Sequence, residues 1–139
     1  MKDKISIDLK NDFSEIERLH QIADAFAEQN QFDQKVAFAL NLVLEEIVTN
    51  IIKYGYQDQE QQNPIHIDLS VSNGELTIVV QDEGQAFDPT MQPEPNLDLP
   101  VEQRPIGGLG IHLVRNFMDS LEYKRDGNKN VLVLKKKLQ

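Results

Sequence analysis

The chain alternates between two hydrophobic rhythms. Ile5, Ile7 and Leu9 are separated by Ser6 and Asp8, a period of two that predicts a short strand. Asn11-Asp12 then offers a cap, and Phe13, Ile16, Leu19, Ile22, Ala23 and Phe26 trace a helical stripe. The polar break Gln29-Asn30-Gln31 separates this helix from a longer one running from Val36 to Tyr54, with Asp33 as its N-cap and Gly55 as its stop. Val36, Leu40, Val43, Ile47 and Ile51 form the stripe that turns this second helix toward a core. The period of two returns in Ile65, Ile67, Leu69 and Val71, and again in Leu76, Ile78 and Val80, with the hairpin signal Asn73-Gly74 between them. Five of the six prolines fall between Pro89 and Pro105, where no periodicity survives, so a long loop is expected there, either a functional lid or a disordered segment. Gly107-Gly108-Leu109-Gly110 opens a helix-compatible run from Ile111 to Met118. A second hairpin follows, Leu121 to Arg125 and Val131 to Leu134 around Asp126-Gly127-Asn128, and Lys135 to Lys137 read as a solvated basic tail. No internal repeat and no domain boundary interrupts the order, which predicts one domain over residues 1–139.

Composition narrows the classes. A formal net charge of -9 and a sequence pI of about 4.7 disfavour direct nucleic-acid binding and attachment to anionic membranes, since both surfaces are phosphate-rich. The absence of cysteine excludes disulfides, thiolate metal sites and thiol nucleophiles. Met1-Lys2-Asp3-Lys4 contains no apolar signal core and no segment is long enough to span a bilayer, so a cytoplasmic location is expected.

Three places carry candidate chemistry. Glu46 and Asn50 lie four apart on the second helix, roughly 40° from one another around the axis and beside the apolar stripe. The amide oxygen of Asn50 suits Mg2+, and the carboxylate of Glu46 suits proton abstraction; the same pair also reads as an ordinary polar helix edge. Glu45, about 100° further round, does not share that side. Asp82-Glu83-Gly84 follows directly on a strand; a carboxylate at that end accepts from an exocyclic amine, although the tripeptide alone is simply a turn. Gly107 to Gly110 open a helix whose unpaired amides suit phosphate, in a pattern that matches neither the P-loop nor the dinucleotide fingerprint. His20, His66 and His112 have no metal-ligand spacing and read as surface or packing residues, while Phe117, Met118 and Tyr123 read as core.

The order of these features resembles the ATP-binding domain of the GHKL superfamily. Glu46-Ile47-Val48-Thr49-Asn50, Lys53-Tyr54-Gly55-Tyr56 and Asn116-Phe117-Met118-Asp119 are most similar to the bacterial anti-sigma-factor serine/threonine kinases. The resemblance implies a two-layer α+β sandwich, a mixed and mostly antiparallel sheet with helices on one face. It implies Glu46 as general base and Asn50 as the Mg2+ ligand. Asp82, with Gly84 beside it, falls on adenine; Gly108, Leu109 and Gly110 fall on the phosphates, joined by Arg104 from the lid. It further implies ATP and Mg2+ as cofactors, an anti-sigma-factor antagonist as phosphoacceptor, a sigma factor held as partner, and a homodimer. Histidine kinases, gyrase and MutL proteins carry further domains that do not fit in 139 residues, so the acceptor is expected on another protein. Two positions depart from the family pattern. Ala86 stands where a second glycine is usual, and Asn130 stands near a threonine position and is left as the substitute polar partner. These departures leave open a nucleotide-sensing module without kinase activity, and a water-directed ATPase is a third reading.

Overall fold

The structure, a computed structural model, describes residues 4–55, 64–84, 86 and 108–138, with side chains throughout those ranges except at 54–55 and 108–112. Strand β1 (Lys4–Leu9) leads through a short 3-10 turn (Phe13–Glu15) into α1 (Ile16–Gln29). Helix α2 (Gln34–Asn50) follows, extended by a π-helical turn (Ile51–Gly55), and then the hairpin β2 (Ile65–Ser72) and β3 (Glu75–Asp82). Helix α3 (Gly108–Phe117) precedes the closing hairpin, β4 (Ser120–Asp126) and β5 (Lys129–Lys137).

The caps read from the sequence form. The Asp33 carboxylate accepts from the Val36 N–H at 2.8 Å, and Asp12 accepts from the Ser14 N–H at 3.0 Å. Asp12 starts the 3-10 turn, however, so Phe13 sits outside the helical stripe assigned to it and is 48% exposed. In the β2–β3 turn both Asn73 and Gly74 have positive φ, 54° and 73°. That is the mirror-image turn whose twist matches the flanking strands.

The five strands run in the order β1-β2-β3-β5-β4, and the mostly antiparallel sheet expected from the sequence is antiparallel at each of its four described seams. Register stacks the apolar positions into rows on one face. One row is Ile7, Ile67, Val80, Leu132 and Tyr123; the next is Ile5, Leu69, Ile78, Leu134 and Leu121. These rows join Leu19, Ala23 and Phe26 of α1 and Leu40, Val43, Leu44, Ile47 and Val48 of α2 in one core. Each fully buried aliphatic side chain contributes about 1.5–3 kcal/mol of transfer free energy, which is what holds the helices to this face. The basic run is a correction: Lys135 to Lys137 belong to β5, where Lys136 Nζ donates to the Phe117 carbonyl at 2.8 Å and the Lys137 N–H donates to the Asp119 carboxylate. Strand pairing with β3 takes this segment out of the solvated tail that its composition alone suggests.

Candidate functional site

Among the described residues, the buried polar or charged side chains are Asn50, Asp82 and Asn130, at 7%, 5% and 6% exposure. Burying such groups is unfavourable unless they are partnered, so polar burial concentrated in three positions marks a built site. All three were singled out in the sequence.

Asn50 is the last residue of α2, and the helix widens into the π-helical turn directly after it. Such widenings are frequent where a helix carries function. Asn50 is hydrogen-bonded to the half-buried Glu46. Burial pushes the Glu46 carboxyl above the ordinary glutamate value; the Lys53 ammonium and the Asn50 hydrogen bond return part of that shift. A carboxyl raised in this way is closer to the pKa a general base needs at neutral pH. Glu45 turns elsewhere, toward His20 Nε2 on α1 at 3.4 Å. A carboxamide held at the end of a helix beside a carboxylate is a hard-oxygen donor set that fits Mg2+ carrying several waters.

Asp82 closes β3 on the inner face of the sheet. Register places it opposite Asn130, and Asn130 opposite Arg125, so the apolar rows end in a polar one. Asp82 Oδ1 accepts twice, from the Gly84 N–H at 2.8 Å and from Asn130 Nδ2 at 3.0 Å. Burial pushes the Asp82 carboxyl above the ordinary aspartate value, against the pull of Asn130, Gly84 and the Arg125 guanidinium. Asn130 Oδ1 in turn accepts from the Tyr123 hydroxyl and from Arg125 Nη1 at 3.1 Å, and Arg125 Nη1 also donates to the Gly84 carbonyl at 2.8 Å. Asn130 is therefore bonded to Asp82, in the position where the resemblance left it as the polar substitute. Tyr123 and Arg125 are the residues that sequence reading did not assign to the site. The available signal was the alternation Leu121, Tyr123, Arg125 in β4, which puts all three on the core face.

Gly84 is buried, and Ala86 is exposed to solvent. Gly108, Leu109 and Gly110 form the first turn of α3, which packs on α2 with the Phe117 ring 6.5 Å from that of Phe38. Arg104, Gly107 and the lid from Pro89 to Pro105 lie outside the described residues. Two recesses are lined by described residues. One of about 320 Å3 is lined by Pro64, His66, Gln81, Asp82, Glu83 and Lys129. A larger one, about 910 Å3, lies at the opposite end of β3, around Phe32, Asn73, Gly74 and Leu138, and contains none of the candidate residues. Among the described residues no group of His, Asp or Glu is arranged to hold a metal on its own, and no helix is long and apolar enough to cross a membrane.

Residues 9–136 match the histidine kinase-like ATPase domain family. The serine/threonine-protein kinase BtrW of Bordetella bronchiseptica is 30% identical over 106 residues, 76% of this chain and 74% of that protein. The anti-sigma F factor of Clostridium kluyveri is 32% identical over 96 residues, 67% of this chain and 64% of its own length. The serine-protein kinase RsbW of Bacillus mycoides is 30% identical over 114 residues, 79% of this chain and 66% of that protein. In three dimensions the chain resembles the RsbU and RsbW domains of a Mycobacterium tuberculosis protein, with a TM-score of 0.71 at 12% identity, over 97% of this chain and 32% of that one. The buried Asp82 and Asn130, the Glu46–Asn50 pair and a family match from one end of the sheet to the other converge: the chain belongs to the histidine kinase-like ATPase family, among relatives named as anti-sigma factors and serine kinases.

Proposed function

We propose that residues 1–139 form one ATP-binding unit that acts as an anti-sigma-factor serine/threonine kinase. It transfers the ATP γ-phosphate to a serine or threonine of an antagonist protein and holds a sigma factor. The names of the relatives support this reading, and one observation carries it: among the described residues the polar side chains buried in an otherwise apolar interior are Asn50 and Asp82, which the resemblance puts on Mg2+ and adenine, and Asn130, which it leaves as a polar partner.

In this reading Asp82 Oδ2 accepts from the adenine amine, because both described hydrogen bonds to the carboxylate fall on Oδ1. Gly84 gives the ring close approach. Asn50 holds Mg2+ through its amide oxygen, and the ion supplies charge neutralisation for the phosphates. Glu46 takes the proton from the acceptor hydroxyl. The amides of Gly108, Leu109 and Gly110, with Arg104, face the phosphates. The packing of α3 supports their approach to Asn50. Helix α3 is in contact with α2, and the Phe117 ring lies 6.5 Å from that of Phe38. The partners follow from the relatives' names and a homodimer from the resemblance; the cytoplasmic location is proposed as the compartment in which a sigma factor is met.

The test is transfer of labelled phosphate from ATP–Mg2+ to an antagonist-type protein encoded beside this one, with titration calorimetry of ATP and ADP alongside. Transfer to a serine or threonine supports the kinase. The exposed Ala86, in place of a second glycine, favours the alternative of a nucleotide-sensing module, which would show ATP binding with no transfer. Phosphate release without any acceptor would instead identify a water-directed ATPase.

A further inference from the structure

Asn130 has a side chain that works in either of two orientations, and its neighbours choose between them. Its Oδ1 accepts from two donors on β4, the Tyr123 hydroxyl and Arg125 Nη1. Reversing the amide would set its NH2 against the Arg125 guanidinium, which cannot accept, and its oxygen against the Asp82 carboxylate, which cannot donate, so two favourable contacts would become repulsive while the Tyr123 hydroxyl could turn to accept. The orientation is thus imposed from β4, and its product is a single N–H aimed at Asp82 Oδ1.

We propose that Arg125, with Tyr123 anchoring the same amide oxygen, is a positioning residue which, by fixing the Asn130 amide, keeps Asp82 an acceptor-only carboxylate and so selects a base carrying an exocyclic amine over one carrying a carbonyl. The inference rests on the adenine role of Asp82 given above. A carboxylate that receives N–H donors at Oδ1 has no need of a proton, and its Oδ2 then faces the ligand as an acceptor. If Asn130 were free to present its oxygen, the buried carboxyl would gain from taking up a proton and donating it back. A protonated Asp82 binds an amine less well, and its O–H can turn to a ring carbonyl. Among the described residues the charged or titratable groups around Asp82 are Arg125 on β4, Lys129 on β5, Glu83 beside it in the chain, and His66 on β2, which lines the same recess. Substituting the neutral Tyr123 alters none of these charges.

The test uses the intact protein and the variants Tyr123→Phe, Arg125→Lys, the two combined, and Asn130→Thr with and without Tyr123→Phe. ATP–Mg2+ and GTP–Mg2+ affinities are measured by calorimetry from about pH 6 to pH 8.5, with unfolding midpoints recorded for every variant. In the wild type ATP is strongly preferred at each pH. In the combined variant ATP affinity falls by about tenfold at the acid end, the change expected when a charge-assisted hydrogen bond becomes a neutral one, and recovers toward pH 8.5, while the ATP:GTP ratio narrows at low pH. A threonine hydroxyl rotates freely and can donate to Asp82 without instruction. Tyr123→Phe in the Asn130→Thr background therefore leaves affinity and pH profile unchanged, a coupling that a purely structural role does not produce. A lower unfolding midpoint with an unaltered pH profile and an unaltered ATP:GTP ratio overturns the positioning role while leaving the adenine site in place. Wild-type protein that binds neither nucleotide overturns both.

Discussion

Replacing Asp82 with Asn separates what this side chain does for the fold from what it does for a ligand. The substitution preserves shape and leaves an oxygen to accept from the Gly84 N–H and from Asn130 Nδ2, the bonds now made at 2.8 and 3.0 Å. The only change left is the loss of charge and the appearance of an NH2 where Oδ2 stands. Because burial raises the Asp82 carboxyl in the folded state, its contribution to stability is fully present below the ordinary aspartate value of 3.8 and is lost as pH rises through the raised folded value. At neutral pH the ionised group is thus a net liability. The Asn variant should therefore unfold at a higher temperature than the wild type near pH 7.5, with the difference shrinking as the solution is acidified. ATP recognition should move the other way. The new NH2 faces the adenine amine, donor against donor, and a charge-assisted bond worth about 1.5–3 kcal/mol is gone, a loss of roughly 10- to 150-fold in affinity. At an ATP concentration about 100 times the wild-type Kd, binding stabilises the wild type by about 2.7 kcal/mol; a 100-fold weaker variant keeps about 0.4 kcal/mol. With about 4 °C per kcal/mol for a chain of this length, thermal unfolding should show an ATP-dependent shift of about 10 °C shrinking to about 2 °C. GTP, which offers a carbonyl at the matching position, should gain relative to ATP. A variant less stable than the wild type without nucleotide, or one with an undiminished ATP shift, would refute the reasoning.

Three further substitutions test the rest of the site and the fold. Glu46→Ala should lower phosphate transfer by about 10²- to 10⁴-fold while calorimetry shows ATP binding retained; wild-type transfer in this variant would remove Glu46 as the base. Asn50→Ala should abolish the gain in ATP affinity on adding Mg2+, read as equal Kd values with metal and with chelator. On the outer face His66 lies between Asp8, 2.7 Å from Nδ1, and Asp68, 3.2 Å from Nε2, and the Asp8 hydrogen bond raises its pKa above 6.5. Its stabilisation is full below 6.5 and lost as pH rises through the raised value, so the margin of wild type over His66→Gln in chemical denaturation should be larger at about pH 5.5 than at about pH 8.5.

What the sequence made legible was local. The Asp33 cap, the stripe on α2 and the Asn73-Gly74 turn depend on residues a few positions apart, and each forms as its spacing implies. The Glu46–Asn50 pair belongs to the same class, since four residues on one helix fix their relation without any tertiary knowledge. Tyr123 and Arg125 were missed for the opposite reason. Their relation to Asp82 exists only through the β3–β5 and β4–β5 registers, which join positions some forty residues apart, as Arg125 and Gly84 show. Phe13 was misplaced because a 3-10 turn shifts the helical phase ahead of Ile16, and the lysines of β5 because Lys135 and Lys137 take the water-facing side of the strand while Lys136, at the end of the inner side, reaches the Phe117 carbonyl.

The same registers explain how an apolar interior tolerates the proposed nucleotide site at its edge. Along β3 the inward positions are Leu76, Ile78, Val80 and then Asp82; along β5 they are Leu134, Leu132 and then Asn130. One step of the strand period exchanges hydrocarbon for hydrogen-bonding groups without any break in pairing, so the polar row inherits the rigidity of the core beside it. A carboxylate placed there is desolvated enough to discriminate between donors and acceptors, and held firmly enough by Gly84 and Asn130 to keep its direction. Moving the polar row one register outward would expose it and lose that discrimination; moving it inward would bury a charge beyond the reach of any ligand. In the proposed reading, recognition of the base is therefore set by where the sheet stops being apolar, and transfer chemistry falls to the end of α2, on the helical layer facing it.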